Sequence, residues 1–180
     1  MRWIIRRFLK VVARKLPIHE PIYEFGSLRV RGQDKLANLR PIFPGKEYIG
    51  CDMRAGRGVD LVLNLHNIDL PDEVAGTVLC LDTLEHVEFC HKAVAEMYRI
   101  LKPGGICVLS SVLDFYIHSH PDDYWRFTPS GFRSLLAPFD DCWVGFQGEE
   151  IFPHTILGIG IKGTIAVDDW STFLKHWEAK

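Results

Sequence analysis

The chain has 180 residues, of which 47% are hydrophobic and 24% charged, and its formal net charge is −2 at pH 7. This composition suits one globular domain with a full hydrophobic core, and it excludes a disordered chain or a strongly basic nucleic-acid-binding chain. The charge is uneven, because residues 1–16 contain six basic residues and no acidic one. The remainder has 15 basic residues against 23 acidic ones. We therefore expect no nucleic-acid partner.

Residues 1–16 carry apolar residues at helical spacing with Arg and Lys between them, which predicts a basic amphipathic helix that ends at Pro17. Two interpretations stay open: a lid helix packed on the sheet of its own domain, or a helix that makes peripheral contact with a membrane or binds a partner. We treat residues 17–180 as a single domain. No apolar run reaches the ~20 residues needed to span a bilayer, and the scattered charges argue against a signal peptide.

Apolar runs alternate with helical patterns through the rest of the chain. Strands are predicted at residues 21–26, 48–52, 59–65, 77–82, 105–111, 142–147 and 155–161, and helices at 33–40, 89–101, 129–136 and 168–178. The dense aliphatic residues of 59–65 are typical of a strand that is covered on both faces, and Thr128 with Pro129 predicts a helix start. The alternation predicts an α/β fold with a mainly parallel sheet and helices on both faces.

The five cysteines contain no C-x-x-C pair, and several lie inside apolar strand patterns. We interpret them as small core residues of a reducing compartment, without disulfides or a zinc site. The expected location is the cytoplasm.

The most informative stretch follows the fourth predicted strand. It reads Asp82-Thr-Leu-Glu-His-Val87, then a helix, then Arg99-Ile-Leu-Lys-Pro-Gly-Gly105 before another buried strand. This β-α-β unit collects polar groups at the carboxyl end of a strand, where open α/β sheets bind ligands. The two motifs resemble those of the class I S-adenosylmethionine (SAM)-dependent methyltransferases. The segment from His120 to Pro129 is similar to a subset of that family linked to the synthesis of cell-surface glycans or secondary metabolites.

The resemblance implies a Rossmann-like domain with a seven-stranded twisted sheet, an antiparallel last strand, and SAM as the cofactor. Asp52 would bind the ribose hydroxyls, and Asp82 would face the methionine portion or the reaction centre. The full set of implied cofactor-binding residues is Glu24, Gly26, Ser27, Asp52, Met53, His66, Asn67, Asp82, Thr83 and Leu84. The family usually shows three closely spaced glycines, whereas this chain has only Gly26 and Gly32 in that region.

Imidazoles, carboxylates and aromatic residues are concentrated at residues 114–128, after the fifth predicted strand. His118, His120 and His86 are the candidates for a general base, because imidazole titrates near neutral pH. Asp123, Tyr124 and Arg126 are the candidate substrate-binding residues, with a structural role for Asp123 and Arg126 as the alternative. We predict no resident metal, although Asp82, Glu85 and His86 share one turn and offer an alternative divalent-ion site. We expect residues 1–33 and 112–128 to form the acceptor pocket.

The functional prediction is SAM-dependent methyl transfer to a hydroxyl or amine of a small molecule or glycan. A nucleotide-sugar or NAD-linked Rossmann enzyme is disfavoured, because the glycine loop lacks G-x-G-x-x-G. A non-catalytic SAM-binding or scaffold protein stays as the alternative, motivated by the altered glycine spacing and the basic first helix.

Overall fold

A computed structural model gives the structure of residues 2–29, 32, 34–118 and 121–178. The helices are α1 (Trp3–Lys15), α2 (Asp34–Ala37), α3 (Cys90–Ile100), α4 (Pro129–Leu135) and α5 (Val167–Glu178), with 3-10 turns at Arg40–Ile42 and Leu84–His86. The strands are β1 (Ile22–Phe25), β2 (Tyr48–Asp52), β3 (Leu61–Val62), β4 (Ala75–Leu81), β5 (Leu101–Val112), β6 (Asp141–Glu149) and β7 (Phe152–Ile161).

The strands form one seven-stranded sheet in the order β3-β2-β1-β4-β5-β7-β6. The pairings from β3 to β5 are parallel, whereas β7 is antiparallel to both β5 and β6. The predicted Rossmann-like sheet with an antiparallel last strand is therefore confirmed. The strand order reverses between β1 and β4, and open α/β sheets bind ligands at such a switch point.

The third strand is shorter and more exposed than its aliphatic sequence predicts. Only Leu61 and Val62 pair with β2, and both side chains are exposed. The prediction that this segment is covered on both faces was wrong, because β3 lies at the edge of the sheet. Other residues of this aliphatic run, such as Leu63, only partly pack against the core.

Helices cover both faces of the sheet, as predicted. On one face, α3 and α4 pack against alternate side chains of the central strands, such as Val78 and Cys80. On the other face, α1 and α5 pack against Leu79 and Leu81. The apolar side of α1 is buried there, and its Phe8 lies at ring-centroid distances of 5.2 Å from Trp177 and 6.0 Å from Trp143. The interpretation of α1 as a helix packed on its own sheet holds.

Thr128 caps α4 as predicted: its hydroxyl oxygen accepts a hydrogen bond from the backbone N–H of Gly131 at 3.1 Å.

The five cysteines are free thiols, and all but Cys142 are buried. Among the described residues, the helices are all too short or too polar to cross a bilayer.

One carboxyl group lies inside the sheet. Glu24 on β1 is buried, and the Tyr48 hydroxyl on β2 donates a hydrogen bond of 2.8 Å to its Oε2. Burial raises the pKa of Glu24 from 4.5 to about 7, although the hydrogen bond from Tyr48 and the charge of Arg40 oppose the shift. Below about pH 7 the folded chain therefore favours the neutral form of Glu24.

Replacing Glu24 by Gln should remove a pH dependence of stability. Between pH 4.5 and 7 the folded state holds a proton that the unfolded chain has released, so the free energy of unfolding falls as pH rises through this interval. Relative to Glu24→Gln, the wild type should lose roughly 3 kcal/mol over that range, at about 1.4 kcal/mol per pKa unit. Urea unfolding at several pH values measures the difference. The exposed control Glu88→Gln should show no such trend, and a pH-independent difference for Glu24→Gln would contradict the assignment.

Candidate active site

A cavity of about 470 Å³ opens at the carboxyl edge of the sheet, around the switch point between β1 and β4. This volume lies within the range of small-molecule sites. The ends of β1, β2 and β4, the segment after β3 and the loop after β5 all contribute to its wall. Of the implied cofactor-binding residues, Glu24, Gly26, Ser27, Asp52, Met53, His66, Asp82 and Thr83 line it.

Gly26 brings the tips of β1 and β4 together. Its φ is +83°, and a Cβ at this position would lie 2.1 Å from Oγ1 of Thr83. Any side chain would therefore collide with β4 in a backbone conformation that L-residues rarely adopt. The Thr83 hydroxyl is fixed in turn, because it donates to the backbone oxygen of Leu81 at 3.0 Å. Because residue 26 has no side chain, the cavity wall at this turn is formed by backbone atoms.

Asp52 ends β2 and places its carboxylate in the cavity wall. Its Oδ1 accepts the backbone N–H of Arg54 at 3.0 Å, and its Oδ2 lies 3.4 Å from the backbone nitrogen of Leu28. A carboxylate accepts up to about four hydrogen bonds through its two oxygens, so these contacts leave part of the acceptor capacity of Asp52 for a ligand. The hydroxyl of Ser27, also in this wall, is buried and has no hydrogen-bond partner within the described part of the chain. A carboxylate at the tip of β2 and an unsatisfied hydroxyl beside a glycine turn fit a ribose-bearing ligand.

The remaining implied cofactor residues occupy different positions. Met53 is exposed beside Asp52, and His66 lies in the cavity wall with its Nε2 accepting the backbone N–H of Phe89 at 3.2 Å. Asn67 is exposed but does not line the cavity, and Leu84 is fully buried in the core behind it. The sequence pattern places these residues near the cavity but does not show which way each side chain faces.

The residue after β4, Asp82, is held by the start of the chain. Nη2 and Nε of Arg2 donate to the two Asp82 carboxylate oxygens at 2.9 and 3.2 Å, and Ser110 Oγ donates to Oδ1 at 3.0 Å. Nη1 of Arg2 also donates to Thr155 Oγ1 on β7. Asp82 has a φ of +47°, a region where Asp is better tolerated than most residues. Arg2 is thus part of the cavity wall, although no local motif identifies its contact with Asp82 across 80 residues.

Glu85 lies in the cavity wall with almost no exposure to solvent. Ser111 Oγ donates a 2.6 Å hydrogen bond to its Oε2. Burial raises the pKa of Glu85, and the nearby negative charge of Asp82 raises it further. The carboxyl group is therefore a poor cap for the following turn and a candidate proton carrier inside the site.

Two histidine rings contact each other edge to face in the cavity wall. The rings of His86 and His118 have centroids 4.7 Å apart at an interplanar angle of 82°. Nδ1 of His86 lies 2.6 Å from the backbone oxygen of Asp122, and Nδ1 of His118 lies 3.3 Å from Oδ2 of Asp123. Both partners are acceptors, so they favour the tautomer with the proton on Nδ1 and make Nε2 the basic nitrogen.

The predicted substrate residues separate into two groups. Asp123 is buried in a two-point ion pair with Arg126, at 2.5 and 2.8 Å, and this pair lowers the pKa of Asp123. Nη2 of Arg126 also donates to the backbone oxygen of Tyr116 at 2.9 Å. Neither residue lines the cavity, so both stabilise the loop, whereas Tyr124 lies in the cavity wall. His120 lies outside the described residues.

The donor atoms of Glu85, His86 and His118 lie within 4.8 Å of one another. A carboxylate and two imidazoles form a donor set that suits several divalent transition metals. Asp82, which the sequence pattern groups with Glu85 and His86, is not part of this cluster because it pairs with Arg2. The sequence motif therefore missed His118 as the third member, since it lies on a distant loop.

A methyltransferase domain family model matches residues 43–109, which run from just before β2 into β5 and include Asp52 and the Asp82–Val87 motif. No curated protein sequence matches the chain.

Solved structures share the fold at low sequence identity. A SAM-dependent methyltransferase from Archaeoglobus fulgidus is 16% identical with a TM-score of 0.67, covering 90% of this chain and 95% of that one. One from Thermotoga maritima is 21% identical with a TM-score of 0.62, covering 89% and 92%. A chain from the complex of the Haloferax volcanii Trm112 methyltransferase activator with a methyltransferase is 16% identical, with a TM-score of 0.60 and coverage of 91% and 92%. These likenesses establish that the chain has the fold of these methyltransferases, and the methyltransferase family model matches the part of it that runs from β2 into β5.

Proposed function

We propose that this chain is a class I SAM-dependent methyltransferase that methylates a hydroxyl or amine of a small-molecule or glycan acceptor, with His118 as the general base. The observation that carries the proposal is the position of His118 in the cavity wall, with its Nδ1 3.2 Å from the backbone oxygen of Tyr116 and 3.3 Å from Oδ2 of Asp123. Acceptor oxygens at Nδ1 favour a proton on that nitrogen and make Nε2 the basic one. The free thiols of the chain support a reducing compartment, and we propose the cytoplasm.

SAM supplies a methyl group whose bond to the sulfonium sulfur breaks as the bond to the acceptor oxygen or nitrogen forms. The protein's part is to position the reactants and exclude water. Asp52, at the tip of β2, would hold the ribose, and the absence of a side chain at Gly26 would let SAM approach the backbone closely. Nε2 of His118 takes the acceptor proton, and the backbone oxygen of Tyr116 at Nδ1 holds the ring in place.

The acceptor occupies the half of the cavity away from Asp52. Arg2, Phe115, Tyr116 and Tyr124 line the cavity together with the two histidines. Arg2 pairs with Asp82 after β4 and the three aromatic residues lie on the loop after β5, whereas Asp52 ends β2. The guanidinium of Arg2 lies 5.7 Å from the centroid of the Phe115 ring. Aromatic faces with a few polar groups suit a sugar or a planar ring.

Substitution of Asp52 by Ala should weaken SAM binding roughly 10- to 100-fold, equivalent to roughly 1.4–2.8 kcal/mol, because a charged acceptor of ribose hydrogen bonds is lost. Asp52→Asn keeps one carbonyl oxygen for the loop N–H groups and should have a smaller effect. Isothermal titration calorimetry with SAM and with S-adenosylhomocysteine measures both. Asp69→Ala removes an exposed acid outside the cavity and is the matched control. An unchanged affinity in Asp52→Ala would refute the ribose assignment.

Substitution of His118 by Gln should lower kcat for an aliphatic alcohol by roughly 10²–10⁴-fold, the usual value of general-base catalysis. The loss should be smaller for an acidic phenol, which needs less help to ionise. SAM affinity should stay unchanged. Transfer of a radiolabelled methyl group to a panel of sugar and phenol hydroxyls measures this, with the exposed His91→Gln as control.

The corresponding Gln variants of His86 and His120 identify the base if His118 is not the one. Equal losses for alcohol and phenol in His118→Gln would reject proton transfer as its role. Activity that a chelator abolishes and Mn²⁺ restores would assign His86 and His118 to a metal site instead.

A further inference from the structure

Five large apolar side chains are exposed on segments that meet at the carboxyl edge of the sheet, where the cavity opens, and together we name them the apolar rim. Their exposed fractions are 67% for Trp3, 73% for Tyr116, 84% for Ile117, 95% for Ile151 and 56% for Phe152. Single exposed apolar residues are normal on a soluble protein. A group of them on one edge indicates a contact with something apolar.

Three separate segments carry the rim, and hydrogen bonds hold them side by side. The backbone N–H of Asp114, ahead of Tyr116, donates to the oxygen of Pro153, beside Phe152, at 3.3 Å. The start of α1 joins them, because Nη1 of Arg2 lies 3.3 Å from the backbone oxygen of His154. Tyr116 stacks on Phe115 with ring centroids 4.4 Å apart.

Positive charge begins beside the rim at the start of α1 and continues along this helix toward the opposite edge of the sheet. Trp3, Arg6, Lys10 and Arg14 line one shallow groove on the outer side of this helix. The first acidic residue of the chain is Glu20, and the residues after position 16 carry a net charge near −8. An anionic surface is therefore attracted to this side of the molecule and repelled by the rest.

We propose that the apolar rim and the basic outer side of α1 dock the protein on the surface of an anionic phospholipid bilayer, with the cavity mouth at the lipid headgroups. Trp and Tyr favour the interfacial region of a bilayer, because they combine an apolar body with a polar tip. Basic side chains next to them gain from the negative potential of an anionic leaflet. Isolated side chains on loop tips enter between lipids without needing a shaped partner surface.

The mode of contact differs from that of an interfacial amphipathic helix. The apolar side of α1 is buried against the sheet, so this helix presents only its polar side and Trp3. Glu149 and Glu150 precede Ile151 at the hairpin tip and oppose an anionic surface. The contact is therefore weak and reversible, and neutralising these two acids should strengthen it.

Vesicle sedimentation tests the docking surface. The full chain is mixed with vesicles of phosphatidylcholine alone or with about one-third phosphatidylglycerol. The wild type should pellet with the anionic vesicles and several-fold less with the neutral ones. The double variant Ile151→Ser with Phe152→Ser should lower the pelleted fraction at least about three-fold. Val62→Ser, which removes a comparably exposed apolar side chain at the other edge of the sheet, should leave it unchanged.

A second pair of variants tests the charges. Lys10→Glu with Arg14→Glu should abolish the preference for anionic vesicles, and Glu149→Gln with Glu150→Gln should increase binding to them. Absence of pelleting for the wild type, or equal pelleting for the Ile151/Phe152 variant, would overturn the proposal. So would a change in self-association of that variant by sedimentation velocity without a change in vesicle binding.

SAM calorimetry and thermal melting on the same variants show that each is folded. These measurements also separate this proposal from the proposed function, because vesicle binding requires neither cofactor nor acceptor.

Discussion

The close approach of Gly26 and Thr83 is the constraint on which the site depends. A Cβ at residue 26 would lie 2.1 Å from the Thr83 hydroxyl, so only glycine lets the tips of β1 and β4 meet. Asp52 and Asp82 then stand on either side of this meeting point, one at the end of β2 and the other just after β4. A bulkier residue at position 26 would separate the two strands and move the part of the cavity beside Asp52 away from the part beside Asp82.

The sequence predicted those features of the structure that depend on residues close to one another in the chain. Strand-to-helix alternation predicted the sheet, and the β-α-β motif predicted the edge where Asp82, Glu85 and His86 lie. Thr128 and Pro129 predicted the start of α4 because capping is local. The aliphatic run at residues 59–65 predicted a long buried strand, but an edge position leaves it only one partner, so tertiary context overrode the local pattern.

The rest of the site depends on contacts between distant residues, which no local pattern contains. Arg2 reaches Asp82 across 80 residues, and His118 meets His86 because a loop folds back over the turn after β4. Asp123 and Arg126 look like substrate residues in sequence, since they are charged and lie in an aromatic loop. In the structure they neutralise each other and brace that loop, leaving Tyr124 and His118 toward the cavity.

The packing of α1 against α5 has a consequence for biosynthesis. Residues 3–15 are made early, yet their apolar side is covered by β4, β5, β7 and a helix that begins at residue 167. During translation the apolar side of this segment, which includes Ile4, Phe8 and Val12, therefore stays incompletely buried until nearly all of the domain has left the ribosome. Such delayed burial exposes apolar surface to aggregation or to chaperones.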